Sequence, residues 1–238
     1  MNVTDTIGRL RTISTATISM QLYKRGIRRA WMQGPAPLAA NQPRIAGPAF
    51  TMRFVPMRED LATPAHWASP RSTRAAIEEM PEGSLCVIDA RGNVAAGCFG
   101  DILAARMRVR GVVGMVTDGA VRDAAAVRET GLPAWCGGSA APASVAELHF
   151  VGWQEAIGCG GVAVMPGDMI VADGDGAVAI PADLADEVAR DGAEQEAFET
   201  WAQSEVEAGA ALPGLYPPND ETRARFDAWR AAREAAGS

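Results

Sequence analysis

"GVVGMVTDGAVRD", residues 111–123, runs from an apolar stretch through an Asp-Gly step to an arginine–aspartate pair. A short apolar run bounded by glycines reads as a buried strand. Strands of that kind lie in the middle of α/β sheets, and ligands collect at their C-terminal ends. Asp118, Arg122 and Asp123 fall at that end. A second reading of the same residues is an Asp-Gly turn closed by Asp118, with Arg122 and Asp123 on the first turn of a solvated helix. Spacing alone supports both equally.

Outward from this run, short β-rich segments alternate with helical ones. "RIAGPAFTMRFVP", "SLCVIDA" and "GVAVMPGDMIVADGDGAVAIP" read as strands, the last broken into a hairpin at "DGDG", while "DILAARMRVRG" and "AVRDAAAVRETG" read as helices. Alternation of this kind predicts an α/β core. In "DTIGRLRTISTATISMQLYKRGIRRAWMQG" the apolar spacing predicts one or two amphipathic helices ending near Gly26 or Gly34. Beyond Pro181 the texture turns helical, first in a long segment and then in a charged tail helix. The expected division is therefore 1–181 for the α/β unit with its N-terminal helices, and 182–238 for a helical extension that packs between subunits.

Composition narrows the function classes. With 238 residues, 48% hydrophobic and 21% charged, the chain suits a globular protein with a substantial core. A net charge of −7 argues against general nucleic-acid binding, which needs clustered Lys and Arg. No apolar stretch approaches the ~18 residues of a membrane span, and the N-terminus lacks a secretory pattern, so a cytoplasmic protein is expected. Cys86, Cys98, Cys136 and Cys159 form no C-x-x-C pair and read as buried free thiols.

Upstream, "GCFGDILAARMRVRG" (97–111) sets glycines directly before a helical pattern. The backbone N–H groups of Ile102 and Leu103 then lie at a helix N-terminus, a place that attracts carboxylates and phosphates. Asp101 is a favoured capping residue there, and a helix cap is the commoner meaning of a Gly-Asp pair. Two carboxylates from two helix starts, Asp101 and Asp123, can also share a hard divalent cation that keeps part of its water. Arg122 adds a planar donor fork for a carboxylate or oxyanion.

"GDILAARMRVRGVVGMVTDGAVRD" together with "IGCGGVAVMPGDMIVADGDGAVAIP" resembles the RraA-like family, which includes 4-hydroxy-4-methyl-2-oxoglutarate/4-carboxy-4-hydroxy-2-oxoadipate aldolases and protein regulators of ribonuclease E. The resemblance covers about Ile13 to Pro217. It implies a three-layer swivelling β/β/α domain assembled as a trimer or a hexamer. By the aldolase pattern, Asp123 would ligate Mg²⁺ or Mn²⁺, Arg122 would bind the keto acid, Asp101 would hold water beside the cation, and Gly100 with the amides of Ile102 and Leu103 would hold the substrate carboxylate. A glutamate from a neighbour's C-terminal helix completes such sites. Glu194, Glu196 and Glu199 lie on the corresponding helix, and Glu199 is the residue chosen for that role.

The expected activity is a metal-dependent lyase that cleaves a 4-hydroxy-2-oxo acid to pyruvate and a second carbonyl compound, with oxaloacetate decarboxylation as a side activity. Alternatives within the same resemblance are a ribonuclease E-binding regulator and a sugar-acid dehydratase or lyase using the same enolate chemistry. A Schiff-base aldolase is disfavoured, because the single lysine, Lys24, sits in the basic segment "QLYKRGIRR". His66 and His149 are far apart in sequence and show no metal-ligand spacing, which favours surface or packing roles. Recognition of the substrate's distal part could fall to Arg53, Arg71 or Arg74.

Overall fold

The computed structural model describes residues 3–236. Two helices open the chain, α1 (Val3–Leu10) and α2 (Thr15–Lys24). Ser14 starts α2 by accepting a hydrogen bond from the Thr17 amide at 3.1 Å, and Gly26, at φ +84°, follows the helix end. The break therefore falls at the first of the two glycines the sequence offered. Then come β1 (Ala36–Pro37), β2 (Ile45–Pro56), α3 (Thr73–Glu79), β3 (Leu85–Asp89), β4 (Gly97–Phe99), α4 (Asp101–Val109), β5 (Gly114–Thr117), β6 (Ala120–Val121) and α5 (Ala124–Glu129). The second half holds β7 (Ala134–Cys136), β8 (Gly138–Ser139), β9 (Leu148–Trp153), β10 (Ile157–Cys159), β11 (Val162–Val164), β12 (Met169–Asp173), β13 (Gly176–Ile180), α6 (Ala185–Glu207) and α7 (Asp220–Ala236).

The main sheet has eight strands in the order β1-β7-β5-β3-β2-β12-β13, with β9 joined to the second half of the long β2. Strands β2, β3, β5 and β7 run parallel, whereas β12 and β13 form the antiparallel hairpin expected from "DGDG". Side chains alternate between two buried layers. Leu85 and Val87 of β3 face a cluster with Trp135, Ile170 and Val164, while Cys86 and Ile88 face Phe50, Met107 and Met115. Because both faces are covered, β3 and β5 are apolar at nearly every position, so the run Gly114–Thr117 shows no alternation in sequence.

Helices α3, α4 and α5 contribute Ile77, Met107 and Val127 to the first layer. On the other side, Leu10, Ile18 and Leu22 of the N-terminal helices, with Ile13 from the turn between them, pack with Val188 and Ala189 of α6 against Val171, Val178 and Ile180. The second half of α6 meets α7 in a separate cluster of Trp201, Ala202, Leu215 and Phe226. Two of the three arginines in "RMRVRG" have a local use: Arg106 pairs with Glu78 through two hydrogen bonds of 2.7 and 2.6 Å, and Arg110 donates to the Met80 carbonyl, tying the end of α4 to α3.

A second, small parallel sheet, β4-β6-β8, stands beside the end of the main one. The chain leaves β5 at Thr117, turns at Asp118-Gly119 and enters β6. Arg122 and Asp123 thus follow a strand of the small sheet rather than the central strand itself, and the helix expected over 120–131 begins only at Ala124.

Candidate active site

Where β4 and β6 end side by side, a pocket of about 280 Å³ opens. It is lined by Gly97 to Leu103, by Arg122 and Asp123 packed against those glycines, and by Trp67, Thr73, Arg74, Ala143 and Ser144. The pairing of β4 with β6 shifts register between Gly97 and Phe99. The Arg122 amide then donates to the Phe99 carbonyl at 2.7 Å, which fixes residue 122 against the start of α4.

The two candidate residues of the arginine–aspartate pair are held in unusual ways. Arg122 Nε is buried without a hydrogen-bond partner among the described residues. Buried polar atoms are nearly always paired, so this unpaired donor beside a pocket is a position the chain's own hydrogen bonds do not account for. Asp123 adopts φ 51°, ψ 43°, the left-handed region, which costs a non-glycine residue about 1 kcal/mol or more. It occupies the N-cap position of α5, yet its side chain makes no capping hydrogen bond. Its Oδ2 lies 3.6 Å from where a Cβ on Gly100 would be, so the absence of a side chain at 100 leaves the carboxylate room.

Asp101 is not the helix cap its sequence position suggests. Gly100 is the N-cap and Asp101 the first residue of α4, because the extended backbone of Gly100 (φ −143°, ψ −177°) already makes the turn into the helix. Asp101 Oδ1 accepts the Ile102 amide at 2.8 Å. That amide, expected to face a substrate carboxylate, is therefore satisfied within the chain. Ile102 itself points outward, 78% exposed. The Leu103 amide lies in the first turn, where N–H groups have no intrahelical partner.

Asp118, the first acid of the opening stretch, belongs to the scaffold. It is buried, and its two carboxylate oxygens accept the amides of Ala90 (2.8 Å) and Gly160 (3.2 Å). Burial, reinforced by the nearby Asp89, pushes its carboxyl above the usual range despite these donors. Cys98 lines the pocket, but burial pushes its thiol up to about 12, which leaves it protonated at neutral pH and a poor nucleophile.

Glu199 lies elsewhere in the chain. Together with Lys24 and Tyr216 it lines a separate depression of about 570 Å³, and its Oε1 accepts from Gln195 Nε2 at 2.8 Å and Tyr216 Oη at 3.0 Å. The single lysine is thus also outside the Arg122 pocket. His66 and His149, which sequence distance separates, are packed ring to ring with centroids 4.6 Å apart. They adjoin the pocket through Trp67, Thr73 and Ser144, which line both that pocket and the small cleft holding the histidines.

Among the described residues no group of three or more His, Cys, Asp or Glu is placed to hold a metal ion. The pocket instead offers two carboxylates from adjoining helix starts. Such a donor set suits a hard cation bound by one or two carboxylates, with water and substrate filling the remaining positions. Asp123, whose carboxylate is free of any capping role, is the fitting direct ligand.

A family model described as "Aldolase/RraA" matches residues 12–179. The chain belongs to the RraA-like family. Its fold matches the crystal structure of Streptomyces coelicolor RraAS2, described as an unusual member of the RNase ES inhibitor RraA protein family, with a TM-score of 0.75 and 36% identity over 84% of this chain and 96% of that one. In Halalkalibacterium halodurans, a protein named "Putative 4-hydroxy-4-methyl-2-oxoglutarate aldolase" is 33% identical over 177 residues, 74% of this chain and 77% of that protein. Legionella pneumophila DlpA is also 33% identical, over 145 residues; these make up 61% of this chain but only 23% of DlpA. No helix among the described residues is long and apolar enough to cross a membrane.

Proposed function

We propose that this RraA-like protein is a divalent-metal-dependent lyase that cleaves a 4-hydroxy-2-oxo acid to pyruvate and a second carbonyl compound. The observation that carries the reading is the pairing of Arg122, with its unpaired buried Nε, and Asp123, strained and uncapped, in the lining of a pocket that also contains Asp101. A bound Mg²⁺ or Mn²⁺ supplies Lewis acidity at the carbonyl of the 2-oxo acid. Asp123 would hold that cation, and Asp101 would orient a water in the pocket. Arg122 donates to the keto oxygen, where negative charge grows as the bond breaks. The C3–C4 bond is cleaved, its electron pair passes to C3 to give the enolate of pyruvate, and the 4-hydroxyl proton leaves to the water held by Asp101 as C4 becomes a carbonyl. Protonation at C3 releases pyruvate. Loss of CO₂ from oxaloacetate passes through the same enolate and is the expected side activity.

In this reading the protein works as a trimer or hexamer, in which a neighbouring subunit brings Glu199 to the pocket. Within its own chain Glu199 accepts from Gln195 and Tyr216, and its second carboxylate oxygen would be the one offered to the neighbour. The test is pyruvate release from a panel of 4-hydroxy-2-oxo acids and oxaloacetate, before and after exhaustive chelation. Turnover should vanish with the metal and return with Mg²⁺ or Mn²⁺; no turnover on any member, or full activity after chelation, overturns the reading.

The likeness to RraAS2 supports a second reading, a ribonuclease-binding regulator. In that case the protein binds a ribonuclease E domain, and Asp123→Ala binds as well as wild type because the carboxylate has no part in it. Binding of that kind without lyase turnover would decide for the regulator.

A further inference from the structure

Of the three arginines that could recognise the far end of a substrate, one reaches the pocket. Arg53 pairs with Glu155 at 3.7 Å on β2, and Arg71, exposed ahead of α3, lines no part of the pocket wall. Arg74 lines the pocket, and its guanidinium carbon sits 5.2 Å from the ring centroid of Trp67, which lines it too. No carboxylate among the described residues pairs with Arg74. Thr73, Ala143 and Ser144, which also line the pocket, add no charge.

A guanidinium lying over an indole face in a cation–π contact keeps donors free for a ligand while the ring limits its rotamers. Such a side chain is prepared for a carboxylate, which it can meet with two parallel hydrogen bonds. The Arg122–Asp123 end of the pocket is occupied in the proposed reaction by the 2-oxo acid group. A cavity of about 280 Å³ holds a small molecule with room for a second acidic group and little more.

We propose that Arg74, held over Trp67, determines specificity by binding a carboxylate at the end of the substrate remote from the 2-oxo acid; this rests on the placement of the 2-oxo acid at Arg122 and Asp123. The residue acts in binding and not in the bond cleavage. Its loss therefore appears in KM for diacids and leaves monoacids alone.

The experiment compares 2-oxoglutarate with 2-oxobutyrate as ligands in the presence of Mg²⁺, by titration calorimetry, for wild type, Arg74→Ala, Arg74→Lys and Trp67→Leu. Binding needs no turnover, so the result stands apart from the fate of the lyase reading, which the pyruvate panel decides. Wild type is expected to favour the diacid by about 10- to 100-fold, the range of one charge-assisted hydrogen-bonded pair. Arg74→Ala should erase that preference with 2-oxobutyrate binding unchanged, and Arg74→Lys should keep part of it. Trp67→Leu should weaken diacid binding more than monoacid binding. Arg74 is exposed, and thermal melts confirm that its variants fold. A wild type without preference, a failure of both ligands to bind, or a preference that survives Arg74→Ala each overturns the proposal.

Discussion

Arg122 passes through the space that a side chain on Gly97 would fill. A Cβ at residue 97 would lie 2.1 Å from Arg122 Cγ and 2.7 Å from the Arg122 amide nitrogen. Gly97 opens β4 and Arg122 directly follows β6, its parallel partner, and residue 97 is tied on its other side to the Pro142 carbonyl at 2.9 Å. Neither backbone can yield cheaply. Gly97→Ala should therefore displace Arg122 and destabilise the fold by about 1–3 kcal/mol. A shift of ~1 Å in a group that stabilises developing charge lowers turnover about 100-fold. Melts and steady-state pyruvate formation check both; unchanged turnover would mean that Arg122 need not sit where it does.

Arg122→Lys separates charge from geometry. Lysine keeps the positive charge but not the planar fork, and loss of one donor to a developing oxyanion lowers kcat by about 10²- to 10³-fold, or roughly 3–4 kcal/mol. Because Arg122 Nε has no partner within the described chain, stability should change little, within about 0.5 kcal/mol. Near-normal kcat in the folded variant would make the arginine a bystander.

At Asp123, two substitutions distinguish backbone from charge. Asparagine tolerates the left-handed conformation about as well as aspartate, whereas alanine does not. Asp123→Asn should melt near wild type, and Asp123→Ala should lose about 1 kcal/mol. Both should lose Mg²⁺- or Mn²⁺-dependent turnover and the heat of metal binding in calorimetry. Activity retained by the asparagine variant would remove Asp123 as the cation ligand.

What the sequence made legible follows the range of the forces involved. The strands, the "DGDG" hairpin and the long C-terminal helix are local patterns, and they appear in the structure where they were expected. Arg122 and Asp123 could be identified as residue types suited to an oxyanion and a cation. Their setting could not, because the αL backbone of Asp123 and the crossing of Arg122 over Gly97 depend on the small sheet β4-β6-β8, whose strands are two or three residues long. Periodicity does not register elements so short. Asp101 is not the helix cap for a similarly non-local reason: the backbone of Gly100 is already extended as it leaves β4, so the helix starts one residue earlier than the aspartate suggests. The contact between His66 and His149 bridges the segment before α3 and strand β9, with no local signal at either end.

Asp118 offers a contrast within the same stretch of sequence. Its two oxygens each accept a backbone amide, from Ala90 and Gly160. An asparagine there would present one acceptor and one N–H group, so one amide would face a donor. Asp118→Asn should destabilise the protein by about 1–3 kcal/mol even though it removes a buried charge. Denaturant melts measure the loss. A variant as stable as wild type would show that desolvation of the carboxylate outweighs its hydrogen bonds.

The packed histidines predict a pH dependence of stability. Burial, then the neighbouring His66 and Arg58, hold the His149 pKa below its ordinary value, with Asp60 acting weakly in the opposite sense. A lowered pKa in the folded state means that the unfolded chain binds the proton first. The contribution to stability is therefore complete above the unfolded pKa, roughly 6.5, and is lost as pH falls through the lower folded value. The buried Nδ1 of His149 has no partner, so glutamine at this position removes the titration without breaking a hydrogen bond. Thermal melts between pH 8 and pH 5 should show wild type losing stability more steeply than His149→Gln below pH ~6.5, with the two parallel above it. Identical slopes across the whole range would mean that water reaches the pair and solvates the charge, and that the histidines are packed together without being coupled to folding.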